Sequence, residues 1–242
     1  MPHLRTVNQL TIADRIWAER IYLILGALFI ASLVVGNLIF QKFFSWNFFG
    51  LYTFEISVGI LPYPITFLIT DIISEVYGKK KANRVVTAGI FASFFSLLIV
   101  WVATAVPATA WSPIGDSLFN EVFGATAIAV LASTIAYLLA QYIDIQIFHF
   151  WKRLTKGKYL WLRNNFSTFT SQFVDTFSVL FLLCSFGKID WALFGSLLLS
   201  GFLFKVLIAI LDTPFLYLSV FALRKRFRLK MGEELTDGSG NR

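Results

Sequence analysis

The chain is short of the residues from which disulfide scaffolds, metal sites and soluble catalysts are built. It has one cysteine, Cys184, inside an apolar run, so no disulfide can form within the chain and a packing role is expected. Its two histidines, His3 and His149, are too isolated for a metal site. His149 stands beside Trp151 and Lys152, where a surface position is expected rather than a proton relay. Charged residues make up only 14% of the chain, against about 25% in soluble domains. There is no phosphate-cradling glycine loop, no HExxH, no paired CxxC and no GxSxG elbow. These absences exclude a pump driven by its own ATP site, and no cofactor is expected.

What the chain has instead is apolar length. Of 242 residues, 57% are hydrophobic and 17% aromatic, with a mean hydropathy of +0.71. That composition predicts an all-α, polytopic membrane protein. Apolar runs at Ile21–Phe40, Phe54–Tyr77, Val85–Val106, Val122–Phe148, Arg163–Phe186 and Trp191–Leu223 each reach the roughly 20 residues that cross a bilayer core. The expected architecture is therefore a six-transmembrane-helix bundle over residues 21–223, with a short N-terminal segment at 1–20 and a basic, partly disordered tail at 224–242. Residues 1–20 lack an apolar core ending in a small-residue cleavage site, so the first run reads as a retained span.

The net charge of +7 lies in clusters between these runs. Arg15 and Arg20, Lys79–Arg84, Lys152–Arg163 and Arg224–Lys230 fall on one side of a six-span chain, whereas the other loops hold only Lys42 and Lys188. This places both termini in the cytoplasm and makes the basic residues orientation signals, not a nucleic-acid surface. Trp17, Trp151 and Trp161 at one interface, and Trp46, Trp111 and Trp191 at the other, fit an aromatic belt.

The fifth run breaks the apolar rule. At 3.6 residues per turn, Asn164, Thr168, Gln172, Asp175 and Thr176 stack on one face with Ser167, Ser171 and Ser178 beside them. Phe166, Phe169, Phe173, Phe177 and Leu180 lie mostly opposite. A polar stripe at membrane depth has to face other helices or a cavity. Serines there are expected to bond neighbouring helices, whereas Gln172 and Asp175 are expected to serve a polar solute, because a carboxylate near the bilayer centre costs several kcal/mol on most estimates.

Other spans carry polar groups too. Pro62 and Pro64 are expected to break or kink the second span and free backbone carbonyls. Asp71 and Glu75, one helical turn apart, read either as a clamp to Lys79, Lys80, Lys81 and Arg84 or as solute ligands. Gln141 and Asp144 form a second amide and carboxylate pair, or a helix-end network. Lys205 is a costly cation in the last span. Counting about 1.5 Å per residue puts it at a depth similar to Asp175, so a Lys205–Asp175 pair, or a solute bridging them, is expected. Small residues at Ala27 and Ala31, and at Ser32 and Gly36, allow close helix approach.

Two stretches, PITFLITDIISEVYGKKKANRVV in the second span and LRNNFSTFTSQFVDTF in the fifth, resemble the queuosine precursor transporter family of bacterial inner membranes. The resemblance runs over the whole of Ile21–Leu223. It implies uptake of 7-deazaguanine bases, such as 7-cyano-7-deazaguanine (preQ0) and 7-aminomethyl-7-deazaguanine, for modifying tRNA. It also implies a six-helix fold similar to the vitamin-binding components of uptake transporters. Candidate substrate-binding residues are Asp175, Gln172, Asn165, Thr168, Gln141, Asp144, Lys205, Asp71 and Glu75. A guanine-like edge can be met either by Asp175 with Gln172 or by Asp144 with Gln141. Expected partners are the deazaguanine base and the lipid bilayer, with room for a homo-oligomer and no nucleic acid. A shared energising module ranks lower, since family members are thought to act alone. The competing readings are a membrane subunit that binds another vitamin-like solute, an intramembrane enzyme using paired carboxylates, and a docking subunit without a pocket.

Overall fold

The computed structural model describes residues 5–6, 10–40, 42–124, 127–187, 189–230 and 233–236. His3, Lys188 and most of the tail expected from Gly232 lie outside the described residues. The first helix, α1, runs over Ile12–Ile39, beginning nine residues before the expected span. Thr11 caps it by accepting a hydrogen bond from the Asp14 N–H at 3.1 Å, so the charged stretch ahead of Ile21 is helical as well.

The next stretch departs from expectation. Residues read as a loop and as the start of the second span form an antiparallel hairpin, β1 at Phe43–Phe48 and β2 at Tyr52–Ser57. The cause is an alternation, Phe44, Trp46, Phe48 and then Phe54, Ile56, whose period of two suits a strand with one packed face. Phe54 and Ile56 are buried against Phe204. The turn is closed by Asn47 Oδ1, which accepts from the Gly50 N–H at 2.7 Å, with Gly50 at a φ of 76°.

A 3-10 turn at Val58–Ile60 leads into α2, Tyr63–Val76. Here the prolines start the helix. Pro62 is its N-cap and Pro64 lies in the first turn, where the missing N–H would have had no helical partner. The expected break thus falls between the 3-10 turn and α2, at the helix start and not inside it. The backbone at Gly59 lies so close to α1 that a Cβ there would stand 2.8 Å from the Gly36 carbonyl oxygen. Ten of the 14 residues of α2 are buried, among them Thr66, Thr70, Asp71, Ser74 and Glu75. It is the polar axis of the bundle, packed on by its neighbours in sequence and by the last helix.

Around it stand α3 (Lys79–Ala105), α5 (Ala127–Leu154), α6 (Leu160–Ser185) and α7 (Phe194–Phe227), with a short α4 at Asp116–Phe123 in the stretch expected to be a loop. The outward face of α3 carries Phe91, Phe95, Leu98 and Trp101, all exposed, as a lipid-facing helix requires. Among the described residues, five elements are long and apolar enough to cross a membrane: Ile12–Ile39, Val58–Val76, Lys79–Ala105, Leu160–Ser185 and Trp191–Phe227. The helix α5, at 28 residues, equals α1 in length. The protein is an all-α, multi-pass membrane protein.

Two short strands, one before α1 and one after α7, also meet. Arg5–Thr6 pairs in parallel with Leu235–Thr236, and Leu235 is buried, so this part of the expected tail is packed against the bundle. Of the small residues in α1, Ala27 and Ala31 face outward, while Gly36 approaches Gly59 within the chain. Asn37 donates to Thr134 Oγ1 at 3.2 Å, tying α1 to α5.

Candidate functional site

The stripe on α6 turns inward. Asn164, Ser167, Thr168, Ser171, Gln172, Asp175 and Thr176 are all buried, whereas Phe166, Phe173, Phe177 and Phe181 are exposed. Leu180, grouped by spacing with the phenylalanines, is buried instead. A helix whose polar side is inside and whose aromatic side is outside is the inverse of a soluble one, and lipid is the solvent that selects it.

Three side chains form a clamp at one level. Lys205 Nζ lies 2.6 Å from Asp175 Oδ2 and donates to Thr176 Oγ1 at 3.0 Å. The Tyr63 hydroxyl donates to the same Asp175 oxygen, and its ring centroid lies 4.3 Å from Lys205 Nζ. The expected Lys205–Asp175 pair therefore forms, and Tyr63 joins it from α2. Helices α2, α6 and α7 are thereby held together.

Beside the clamp opens a cleft between α2, α6 and α7. Its polar lining is Asp71, Asn164, Thr168, Gln172, Lys205 and Asp212, and Tyr63, Phe67 and Phe204 supply ring faces. The cleft encloses about 420 Å³ of unfilled space, part of it open to the surroundings. Its enclosed part is tight, with room for about one water-sized body. Thr168 Oγ1 and Gln172 Oε1 are buried and accept no hydrogen bond from the described residues.

Of the nine candidates, Thr168, Gln172, Lys205 and Asp71 line this cleft. Asp175 stands just outside the lining, behind Lys205 and Tyr63. Asn165 points elsewhere: its Nδ2 donates to the Trp161 carbonyl at 2.8 Å and reaches Thr213 Oγ1 at 3.4 Å. Asn164, one residue earlier and four before Thr168, takes the place expected of it.

Gln141 is consumed in a lock between α5 and α2. It donates to the Tyr137 hydroxyl at 2.7 Å and accepts from Thr70 Oγ1 at 3.2 Å. Asp144 does not pair with it. Asp144 Oδ1 accepts from Ser171 Oγ at 3.0 Å, and its carboxyl group lies within hydrogen-bond reach of that of Asp71.

Glu75 is likewise outside the cleft, fully buried among cations. Arg163 Nη2 lies 2.6 Å away, Lys152 Nζ 3.3 Å away, and Arg224 also binds it. These cations come from α5, α6 and α7 and not from Lys79–Arg84, because Glu75 points into the bundle and the lysine run lies past the turn at Gly78. Glu234 joins the cluster, 2.8 Å from Lys152 and 4.0 Å from His149 Nδ1. His149, expected at the surface, is buried there. Sequence spacing alone had no means of finding Tyr63, Phe204 or Asp212, which reach the cleft from two other elements. Among the described residues, no group of three His, Cys, Asp or Glu converges as a metal site.

Residues 57–219, a stretch that contains every residue lining the cleft, match a family model described as putative vitamin uptake transporter. The chain belongs to that family. This transporter is similar to the "probable queuosine precursor transporter" of Bacillus subtilis (strain 168), with 27% identity over 169 residues, 69% of this chain and 72% of the relative. It is 28% identical over 163 residues to the "queuosine precursor transporter" of Escherichia coli (strain K12), covering 65% of this chain and 69% of the relative. A third relative, the "probable queuosine precursor transporter" of Haemophilus influenzae (strain ATCC 51907 / DSM 11121 / KW20 / Rd), is 29% identical over 167 residues, 66% of each chain. No solved structure matches. The family assigns the chain a transport role on a small-molecule solute, not catalysis.

Proposed function

We propose that this transporter imports queuosine precursors, 7-deazaguanine bases such as 7-cyano-7-deazaguanine and 7-aminomethyl-7-deazaguanine, across the cell inner membrane for salvage into tRNA. The observation that carries the reading is the cleft itself. At membrane depth it sets ring faces beside an amide, a carboxylate and a hydroxyl, the surfaces a flat nitrogenous ring needs for stacking and for hydrogen bonding at its edge. The names of the relatives point to the same solute class. Tightness of the cleft means that a base enters as Lys205, Tyr63 or their helices part, a motion suited to a carrier and not to an open pore.

The working unit is a six-crossing transport domain over residues 21–223, with both termini cytoplasmic. In support, the helix ends rich in Lys79–Arg84, Lys152–Arg153 and Arg224–Lys230 gather at the end of the bundle that holds the Glu75 cluster.

The test is uptake of labelled 7-cyano-7-deazaguanine by cells unable to make it, comparing the intact protein with Asp175→Asn and Gln172→Ala. Wild-type uptake with loss in both variants is the expected result. Normal transport by both variants at normal expression removes the site, and no uptake by the wild type removes the function.

A further inference from the structure

The proposed solute leaves open which carboxylate meets it, and the geometry points to Asp71. We infer that Asp71, with Gln172 Oε1 and Thr168 Oγ1, accepts the N–H donors of the base's amino edge, and that Asp175 is a positioning residue. This inference rests on the base reading above and adds to it the residue that sets specificity.

Four carboxylates lie near the middle of the bundle, and they differ in what already occupies them. The charge of Asp175 is matched by Lys205, and one of its oxygens also takes the Tyr63 hydroxyl. Its Oδ1 has no partner among the described residues, but Asp175 does not line the cleft. Asp144 also lies outside the lining, held by Ser171. Asp212 lines the cleft but is only half-buried, so water competes for it.

Asp71 is the exception. It is 2% exposed, it lines the cleft, and no cation or N–H group of the described residues bonds it. Its close neighbour is a second carboxyl group, that of Asp144. That neighbour can engage one oxygen of Asp71, but the buried Oδ1, without a partner among the described residues, is costly unless something else supplies a donor. Two more buried acceptors, Thr168 Oγ1 and Gln172 Oε1, line the same cleft without partners. The unanswered atoms are thus all oxygens, and they call for a solute that brings several N–H groups on one edge. The ring N–H and exocyclic amine of a guanine-type base are such an edge. The carbonyl beside that N–H is left to the donors of Lys205 and Asn164, which line the same space.

The experiment measures uptake of 7-cyano-7-deazaguanine and of its analogue lacking the exocyclic amine, in cells unable to make the precursor. Wild type is expected to prefer the amine-bearing base roughly 10- to 100-fold, as befits buried acceptors left unpaired by the analogue. Asp71→Asn is expected to lose most uptake and to bring the two bases within a few-fold of each other. Asp175→Asn, by contrast, is expected to lower uptake of both bases while keeping their ratio, which separates positioning from recognition. An unchanged ratio in Asp71→Asn, or a collapsed ratio in Asp175→Asn, overturns the assignment. Should Asp71→Asn fail to reach the membrane, Gln172→Ala decides: a narrowed ratio supports the inference and an unchanged one overturns it. Wild-type cells that take up neither base would instead strike the proposed function, and this inference with it.

Discussion

Asp71 and Glu75 are one turn apart on the same helix and face opposite circumstances. Glu75 is surrounded by Arg163, Lys152 and Arg224, so its charge is met several times over. Asp71 has a carboxyl group for a neighbour and an open cleft in front. Burial alone does not tell these two apart, since both are almost wholly enclosed. Pairing does: a carboxylate already answered by cations holds helices together, and one with no cation and an unpaired oxygen beside a cleft is the one we propose for the solute.

The contrast is sharpest in what removal of each charge does. Glu75→Gln strands buried cations without a counter-charge and is expected to cost about 3–5 kcal/mol, seen as a lower unfolding midpoint in detergent and less protein in the membrane. A midpoint equal to wild type would sink the idea that the cluster is structural. Lys205→Met leaves Asp175 with Tyr63 but no cation, and a smaller loss of about 2–3 kcal/mol is expected. Adding Asp175→Asn to it should recover stability, and a double-mutant cycle showing no coupling would contradict the clamp.

The third comparison concerns adjacent residues. Asn164→Ala is expected to reduce uptake about tenfold by removing a cleft-lining amide, while Asn165→Ala removes an interhelical contact worth about 1 kcal/mol and leaves uptake nearly intact. Equal uptake in the two would move the cleft to another face of α6. The smallest effect belongs to Glu234→Gln, where a partly exposed partner of Lys152 is lost. Less than about 1 kcal/mol is expected, because Glu75 still holds Lys152.

The sequence spoke most clearly where a single helix carries the information. The inward stripe on α6 follows from spacing alone, because 3.6 residues per turn decides which side chains share a face. The depth match of Lys205 and Asp175 follows from helical rise. Reading failed where a second element takes part. Whether Asp144 faces Gln141 or Asp71 depends on how α5 rotates against α2, and no spacing within α5 records that. The cations around Glu75 come from three helices remote in sequence, so the nearby lysine run was the wrong candidate. The hairpin at Phe43–Ser57 was legible in principle, as an alternation of rings and polar residues. Its aromatic richness suggested an interfacial loop because rings suit both settings.

The helix α2 also sets a vertical scale. Tyr63, Asp71 and Glu75 mark three storeys along it, about 12 Å and then about 6 Å apart by helical rise. Successive storeys are turned by about 80° and then about 40°, so the clamp, the proposed recognition and the anchoring look onto neighbouring sides of one helix. Inserting a single residue between Pro64 and Asp71 would swing Tyr63 by about 100° relative to the two acids below. That slip would uncouple the storeys without changing the chemistry of any of their side chains.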